Sequence, residues 1–299
     1  MNVKRCIKVF FTLLGLCLFS ACYASSLGFL DPKGWVAKQE LQLMLDTVAL
    51  MLIVVIPVII MSFAFAWRYR ASKRQGQYQP DWSHSLLLEL FWWGIPTVII
   101  IILGIFVWHK SHQLDPYRQL DFPGEVEQIE VVSLQWKWLF IYPKEGVATI
   151  NDLYLPVNKQ VEFLITADSP MSSFGIPQLV GQIYAMAGMR TRLHMYSSYV
   201  GVYDGLNTHL NGDGFSYMHF PVHVATENDF SDWINHVREI GTPLTKETYR
   251  PLYEPTINAP AQYFSSVSDG LFHDIMMQYM KNEHWLHSLP TDKTAKGTT

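Results

Sequence analysis

"LMLDTVALMLIVVIPVIIMSFAFAW", residues 43 to 67, carries one charge, Asp46. The run exceeds the roughly 20 apolar residues that a helix needs to cross hydrocarbon. A helix buried in a soluble core keeps a polar face, and this run has none. Pro57 would break a soluble helix, but in a membrane helix neighbouring groups satisfy the freed carbonyl. The run therefore reads as a membrane span.

Working outward, a second run, "LFWWGIPTVIIIILGIFVW" (residues 90 to 108), holds Trp92, Trp93 and Trp108 at the depths where aromatic belts sit. The connecting stretch "RYRASKRQGQYQPDWSHS" crowds Arg68, Arg70, Lys73 and Arg74 against the first span. Basic loops stay cytoplasmic, so both ends of the hairpin lie on the exported side. The N-terminus asks for the same orientation. Met1 to Ala21 places Lys4, Arg5 and Lys8 before the short apolar run "VFFTLLGLCLF", the layout of a signal peptide. Its ending "FSAC" suits lipoprotein processing, with Cys22 acylated as the new N-terminus; the alternative is ordinary cleavage after Ala24, which removes Cys22.

Cys6, Cys17 and Cys22 all lie in this leader or at its edge, so the mature chain has no thiol pair for a disulfide or a thiolate metal site. The formal net charge is −4, without a long basic run, and this excludes a nucleic-acid surface.

From about Glu125 the texture changes to period-two alternation. "IEVVSLQWKWLFIYP", "VEFLITA" and "MRTRLHMY" read as strands, the last with Met189, Thr191, Leu193 and Met195 on one face and Arg190, Arg192 and His194 on the other. Such strands, separated by Gly, Pro and Asn/Asp turns, imply a small β-sandwich or barrel. After Ala225 the pattern turns helical. Thr226 with Asp229 resembles a capping box, and Phe230, Trp233, Ile234 and Val237 form a stripe. A further helix is expected near Ser268, with Leu271, Phe272, Ile275, Met276 and Tyr279 along a face. The expected organisation is a leader (1–22), a two-helix transmembrane domain (23–110), an exported all-β domain (111–225) and a helical, aromatic-rich extension and tail (226–299).

Within the β domain, "DGLNTHLNGDGFSYMHFP" (204 to 221) has the turn residues of a metal-binding loop without a cysteine. With "LLLELFWWGIP", "QWKW" and "SSFGIPQLVGQIYAMAGMRTRL", it resembles subunit II of the haem-copper respiratory oxidases. The resemblance implies a cupredoxin-like fold. In the cytochrome c-oxidising members that fold carries a dinuclear copper centre held by His, Cys-x3-Cys-x3-His-x2-Met and a backbone carbonyl. Matched to this chain, the first His falls at Ser172, the two Cys at Asn207 and Asn211, the second His at Phe215, and the carbonyl at His209, leaving only Met218 in common. Bridging thiolates are what such a centre requires, so no metal is expected here.

The pattern resembles the quinol-oxidising, bo-type branch, as do "LDPKGW", "MLIVVIP", "FAWRYRAS", "WKWLFIYP", "IYAMAGMRTRLH" and, in the extension, "QYFSSVSDGLF". The resemblance implies a subunit with no catalytic residue and no cofactor of its own. Haem, copper and ubiquinol would belong to a large partner subunit I, with further membrane subunits beside it. The partners would exclude cytochrome c, and the site would be the lipid bilayer of a bacterial inner membrane with the β domain periplasmic. Glu89, which opens the second span, matches a family Glu at the mouth of a proton pathway, although the Thr that follows in the family is Gly94 here. A polar helix end that snorkels to the interface is the bland alternative for Glu89. Trp136 occupies the electron-entry position but reads as packing, and His209, His219 and His223 as surface histidines without a ligand set. Two rival functions are a copper-bearing cytochrome c oxidase subunit and a membrane-tethered binding module.

Overall fold

The computed structural model describes residues 28–70 and 83–280. The leader, Cys22, Lys73, Arg74 and the tail lie outside them. The chain divides into two units, one of residues 38–118 and one that joins the N-terminal segment to residues 119–299.

The first unit is the helical hairpin. Helix α1 (Trp35–Arg68) and helix α2 (Leu86–Gln113) are both long and apolar enough to cross a membrane. Both outrun the apolar runs at 43–67 and 90–108, because the flanking polar residues keep helical geometry. Pro57 and Pro96 lie inside them. Hydroxyls that would otherwise be stranded in hydrocarbon donate back one turn: Thr47 to the Leu43 carbonyl, Ser62 to Val58 and Thr97 to Trp93, at 2.7–2.8 Å. Lys110 Nζ donates to Gln39 Oε1 at 3.0 Å, tying the two helices together at the end away from the loop.

The second unit is a cupredoxin-like sandwich. A seven-stranded sheet runs β11-β12-β3-β2-β1-β5-β8 and a five-stranded sheet runs β4-β10-β9-β6-β7. The strands are β1 (Val126–Leu134), β2 (Lys137–Tyr142), β3 (Val147–Ile150), β4 (Leu153–Pro156), β5 (Gln160–Ala167), β6 (Ser172–Ile176), β7 (Val180–Ala185), β8 (Thr191–Tyr196), β9 (Gly201–Asn207), β10 (His219–Ala225), β11 (Thr242–Leu244) and β12 (Gln262–Val267). Trp138, Phe140, Phe163, Phe174 and Phe220 fill the space between the sheets, their rings 5.0–6.4 Å apart.

Strand β2 is buried on both faces, which explains why "KWLFIY" is apolar almost throughout instead of alternating. Its second face belongs to a separate core, where Val132, Leu139, Ile141 and Ile150 of the sheet meet Tyr249, Leu252, Leu271 and Ile275 of the C-terminal extension. The extension comprises helices α3 (Glu227–Ile240), α4 (Lys246–Tyr253) and α5 (Leu271–Met280). It also supplies β11 and β12, which join the large sheet and were not read as strands from sequence. At the start of α3, the Thr226 hydroxyl accepts from the Asp229 N–H and bonds the Asp229 carboxylate.

Strand β8 departs from the expected alternation. Thr191, Leu193 and Met195 are buried as expected, but His194 is also buried, within 3.9 Å of Glu162. Met189 precedes the strand and is exposed. The His194 ring is instead enclosed by polar neighbours on the outer face, with Nδ1 at 3.5 Å from the Gln160 side-chain amide and Nε2 beside the Glu162 carboxylate.

The chain enters the sandwich through a tight strap. The N–H groups of Lys33 and Gly34 donate to the Gln178 carbonyl, Gln178 Nε2 donates to the Asp31 carbonyl, and Ser197 Oγ donates to the Lys33 carbonyl. A Cβ on Gly34 would stand 1.8 Å from the Leu179 carbonyl oxygen, so only glycine fits. Beside the strap, Trp35 packs edge-on against Phe122, which stacks on Tyr196 at 3.7 Å.

Candidate functional site

The loops at one end of the sandwich bring together most of the degenerate copper positions. Ser172 opens β6, Asn207 closes β9, and Asn211 and Met218 lie on the β9–β10 connection; Ser172, Asn207 and Met218 are buried. Asn207 Nδ2 donates to Met218 Sδ at 3.3 Å, and Asn211 Nδ2 donates both to Ser172 Oγ at 3.0 Å and to Met218 Sδ at 3.4 Å. Asn207 Oδ1 accepts the N–H groups of Ser173 and His209, at 2.9 and 3.0 Å.

Two amides thus stand where the resemblance put two thiolates, and they aim N–H groups at the sulfur. A soft metal needs lone pairs facing inward; this set presents donors instead. Phe215, in the short 3-10 turn Phe215–Tyr217, adds no donor atom at all. A dinuclear copper centre does not fit these side chains.

Trp136 organises the loop from below. It sits in the β1–β2 turn at φ 68°, a left-handed conformation uncommon for any residue but glycine. Its Nε1–H donates to the Asn211 carbonyl at 3.3 Å. Gly214 lies so close to the indole that a Cβ there would meet it at 2.3 Å. The tryptophan that matched an electron-entry position is therefore a packing platform for the loop.

The remaining histidines are dispersed. His209 meets Tyr184 edge-on at 5.8 Å, His219 is exposed at the start of β10, and His223 Nε2 lies 3.3 Å from Asp152 while its ring stacks on Tyr154. Among the described residues no three His, Cys, Asp or Glu gather as a metal would require. Glu89 is exposed in the first turn of α2, its N–H bonded to the Ser85 carbonyl.

A family model described as "Cytochrome C oxidase subunit II, periplasmic domain" covers residues 106–225, and one described as "COX Aromatic Rich Motif" covers 238–283. "Cytochrome bo(3) ubiquinol oxidase subunit 2" of Pseudomonas aeruginosa is 49% identical over 249 residues, 83% of this chain and 75% of that one. The Pseudomonas putida protein of the same name is 45% identical over 281 residues, 93% of this chain and 88% of that one. The chain belongs to the ubiquinol oxidase subunit 2 family. More distant kinship reaches "Quinol oxidase subunit 2" of Bacillus subtilis, 34% identical over 244 residues, 81% of this chain and 76% of that one. Among solved structures, the periplasmic domain of subunit II of cytochrome oxidase from Bradyrhizobium japonicum aligns over 39% of this chain and 96% of its own, at 20% identity and a TM-score of 0.38.

Several polar residues that sequence reasoning passed over hold this end of the sandwich in place. Lys137, buried, donates through Nζ to the Glu254 carbonyl and Thr256 Oγ1, both at 2.9 Å, and burial lowers its pKa. Asp168, also buried, accepts from Tyr249 Oη, Gln278 Nε2 and Tyr279 Oη at 2.5–2.7 Å. Lys137 follows Trp136 inside "QWKW", and Asp168 stands four residues before Ser172. Their partners lie about 80 to 120 positions away, a separation that no local pattern reveals.

Proposed function

We propose that this chain is the second subunit of a proton-translocating ubiquinol oxidase, a complex that couples quinol oxidation to the reduction of dioxygen to water. Its own part is structural and proton-delivering, without a redox group. The observation that carries this reading is the cluster of Ser172, Asn207, Asn211 and Met218, in which amide N–H groups occupy the place of bridging sulfur. A subunit built this way offers cytochrome c no electron acceptor. Electrons would enter from quinol at the large subunit I, which would hold the haems and copper, with further membrane subunits beside it.

In this reading the chain lies in a bacterial inner membrane, and two helices long and apolar enough to span it support that location. Arg68 and Arg70 mark the cytoplasmic end, with Lys73 and Arg74 continuing the basic loop in sequence, so the sandwich is periplasmic. Glu89, at the same end, collects protons. Cys22 is read as the acylated N-terminus after removal of the leader. A tethered binding module would need one span or one lipid, and this chain has two long helices.

One purification tests the reading. The tagged chain, extracted in mild detergent, should carry a haem-containing partner visible in its optical spectrum, and its own intact mass should show a diacylated N-terminal cysteine. The periplasmic domain produced alone should contain no stoichiometric copper. Copper with near-infrared absorption in that domain would overturn the quinol-oxidase assignment, and a chain beginning at Ser25 would overturn the lipoprotein reading.

A further inference from the structure

Two lines of contact run from the C-terminal extension to the end of the sandwich where a cupredoxin would hold its metal. In the first, Tyr249, Gln278 and Tyr279 converge on Asp168, whose N–H donates to the Ser133 carbonyl. Four residues on, Ser172 Oγ receives the Asn211 amide. In the second, the Glu254 carbonyl and Thr256 hold Lys137 Nζ, and the Thr256 N–H reaches the Gln135 carbonyl at 3.5 Å. Gln135 and Lys137 flank Trp136, whose indole N–H donates to the Asn211 carbonyl. Asn211 is the residue on which both lines end.

A bound metal holds loops by drawing ligands from several of them to one point, and its binding energy then stabilises the fold. Among the described residues no group of three His, Cys, Asp or Glu offers a metal such a point, yet the loops are ordered by hydrogen bonds among themselves: Asn207 N–H to the Met218 carbonyl, Thr208 N–H to Ser173, and Met218 N–H to Phe215. Loops of this kind, rich in Gly and Asn, are costly to order, and their ordering must be supported from elsewhere.

We propose that the C-terminal extension stands in for the metal, anchoring the β1–β2 and β5–β6 turns from outside so that Trp136 and Ser172 fix Asn211 and, through it, the whole 204–221 loop. The extension is then more than a cover for the outer face of the large sheet. It is the element that lets a cupredoxin keep its loop geometry without a metal. Lys137 and Asp168 are its positioning residues. This inference rests on the fold and its contacts, and it stands whether or not the chain serves a quinol oxidase.

Hydrogen exchange followed by mass spectrometry on the full-length protein in detergent tests it. Lys137→Met and Asp168→Asn should each accelerate exchange of the Asn207, Thr208 and Met218 amides by about tenfold or more, since local opening free energies report the support a segment receives. Lys159→Met serves as the control. It removes the 2.7 Å pair with Glu227, another contact between sandwich and extension but at a different place, and should leave the loop unchanged. Should Asp168→Asn fail to fold, Tyr279→Phe, which removes one donor, should give a smaller acceleration at the same amides. Acceleration confined to residues 246–280, with the loop amides at their original rates in both Lys137→Met and Tyr279→Phe, would overturn the proposal and leave the extension as a passive cover.

Discussion

Glu130 lies on β1 and lines a half-enclosed pocket of about 210 Å3 between the large sheet and the start of α5, with Ile141, Pro143, Ser268, Asp269 and His273 around it. Burial pushes its carboxyl up to about 7, and Arg190 draws it back only in part. The folded chain therefore holds this proton more tightly than the unfolded chain, whose carboxyl stays near 4.5. Its contribution to stability is complete below about pH 4.5 and is lost as the pH rises through about 7. Glu130→Gln keeps the shape and removes the charge. The variant should match the parent near pH 4 and exceed it at pH 8 by about 1–2 kcal/mol, the full linkage value being discounted for solvent that reaches the pocket. Thermal melts of the periplasmic domain at the two pH values decide it, and equal melting temperatures at pH 8 would mean that solvent already hydrates the carboxylate fully.

At the scale of the element, the 204–221 loop shows what a sequence carries and what it leaves out. Its spacing was legible because positions 207, 211 and 218 keep their separations even where the residue types have changed, and the structure gathers them beside Ser172. The replacement bonding was not legible. An asparagine in a turn-rich loop reads as a turn residue, and only coordinates show its amide aimed at Met218. In the extension, "TPL" at 242–244 gave no period-two signal because three residues are too few to alternate, and β12 was hidden by the polar serines in "QYFSSV". The preserved spacing supports a test: Ser172→His, Asn207→Cys, Asn211→Cys and Phe215→His together should create a coloured copper–thiolate site, completed by Met218 and the His209 carbonyl. Before loading, that variant should be less stable than the parent by about 1–3 kcal/mol, because a thiol at 207 accepts the Ser173 and His209 N–H groups only weakly. Copper should restore the melting temperature along with the colour. A folded, colourless protein that copper leaves unchanged would show that the loop register is wrong.

For the whole molecule, hydropathy alone disclosed the hairpin, since a span advertises itself through every residue it contains. The strap at Gly34 and the Trp35–Phe122–Tyr196 aromatic set could not be read that way, because each depends on a residue distant in sequence. The proposed proton delivery is the role that most depends on the complete assembly. Glu89 occupies the first turn of α2, where the helix dipole favours a negative charge, at the end of the hairpin marked by Arg68 and Arg70. In the proposed orientation a carboxylate there would face the cytoplasm, and dioxygen reduction consumes protons that such a group can supply. Glu89→Gln retains size and hydrogen bonding but cannot exchange a proton. In the assembled complex this variant should show normal haem content and reduce its haem-copper site about a hundredfold more slowly than the parent, the lower end of what one positioned proton-transfer group contributes. Glu89→Asp, still titratable but shorter, should fall between the two. Stopped-flow absorbance under anaerobic quinol makes the measurement, and normal haem content separates slow proton delivery from failed assembly. If the Gln variant is reduced at the parental rate, Glu89 is only a polar helix end, and the subunit's contribution to the oxidase is structural alone.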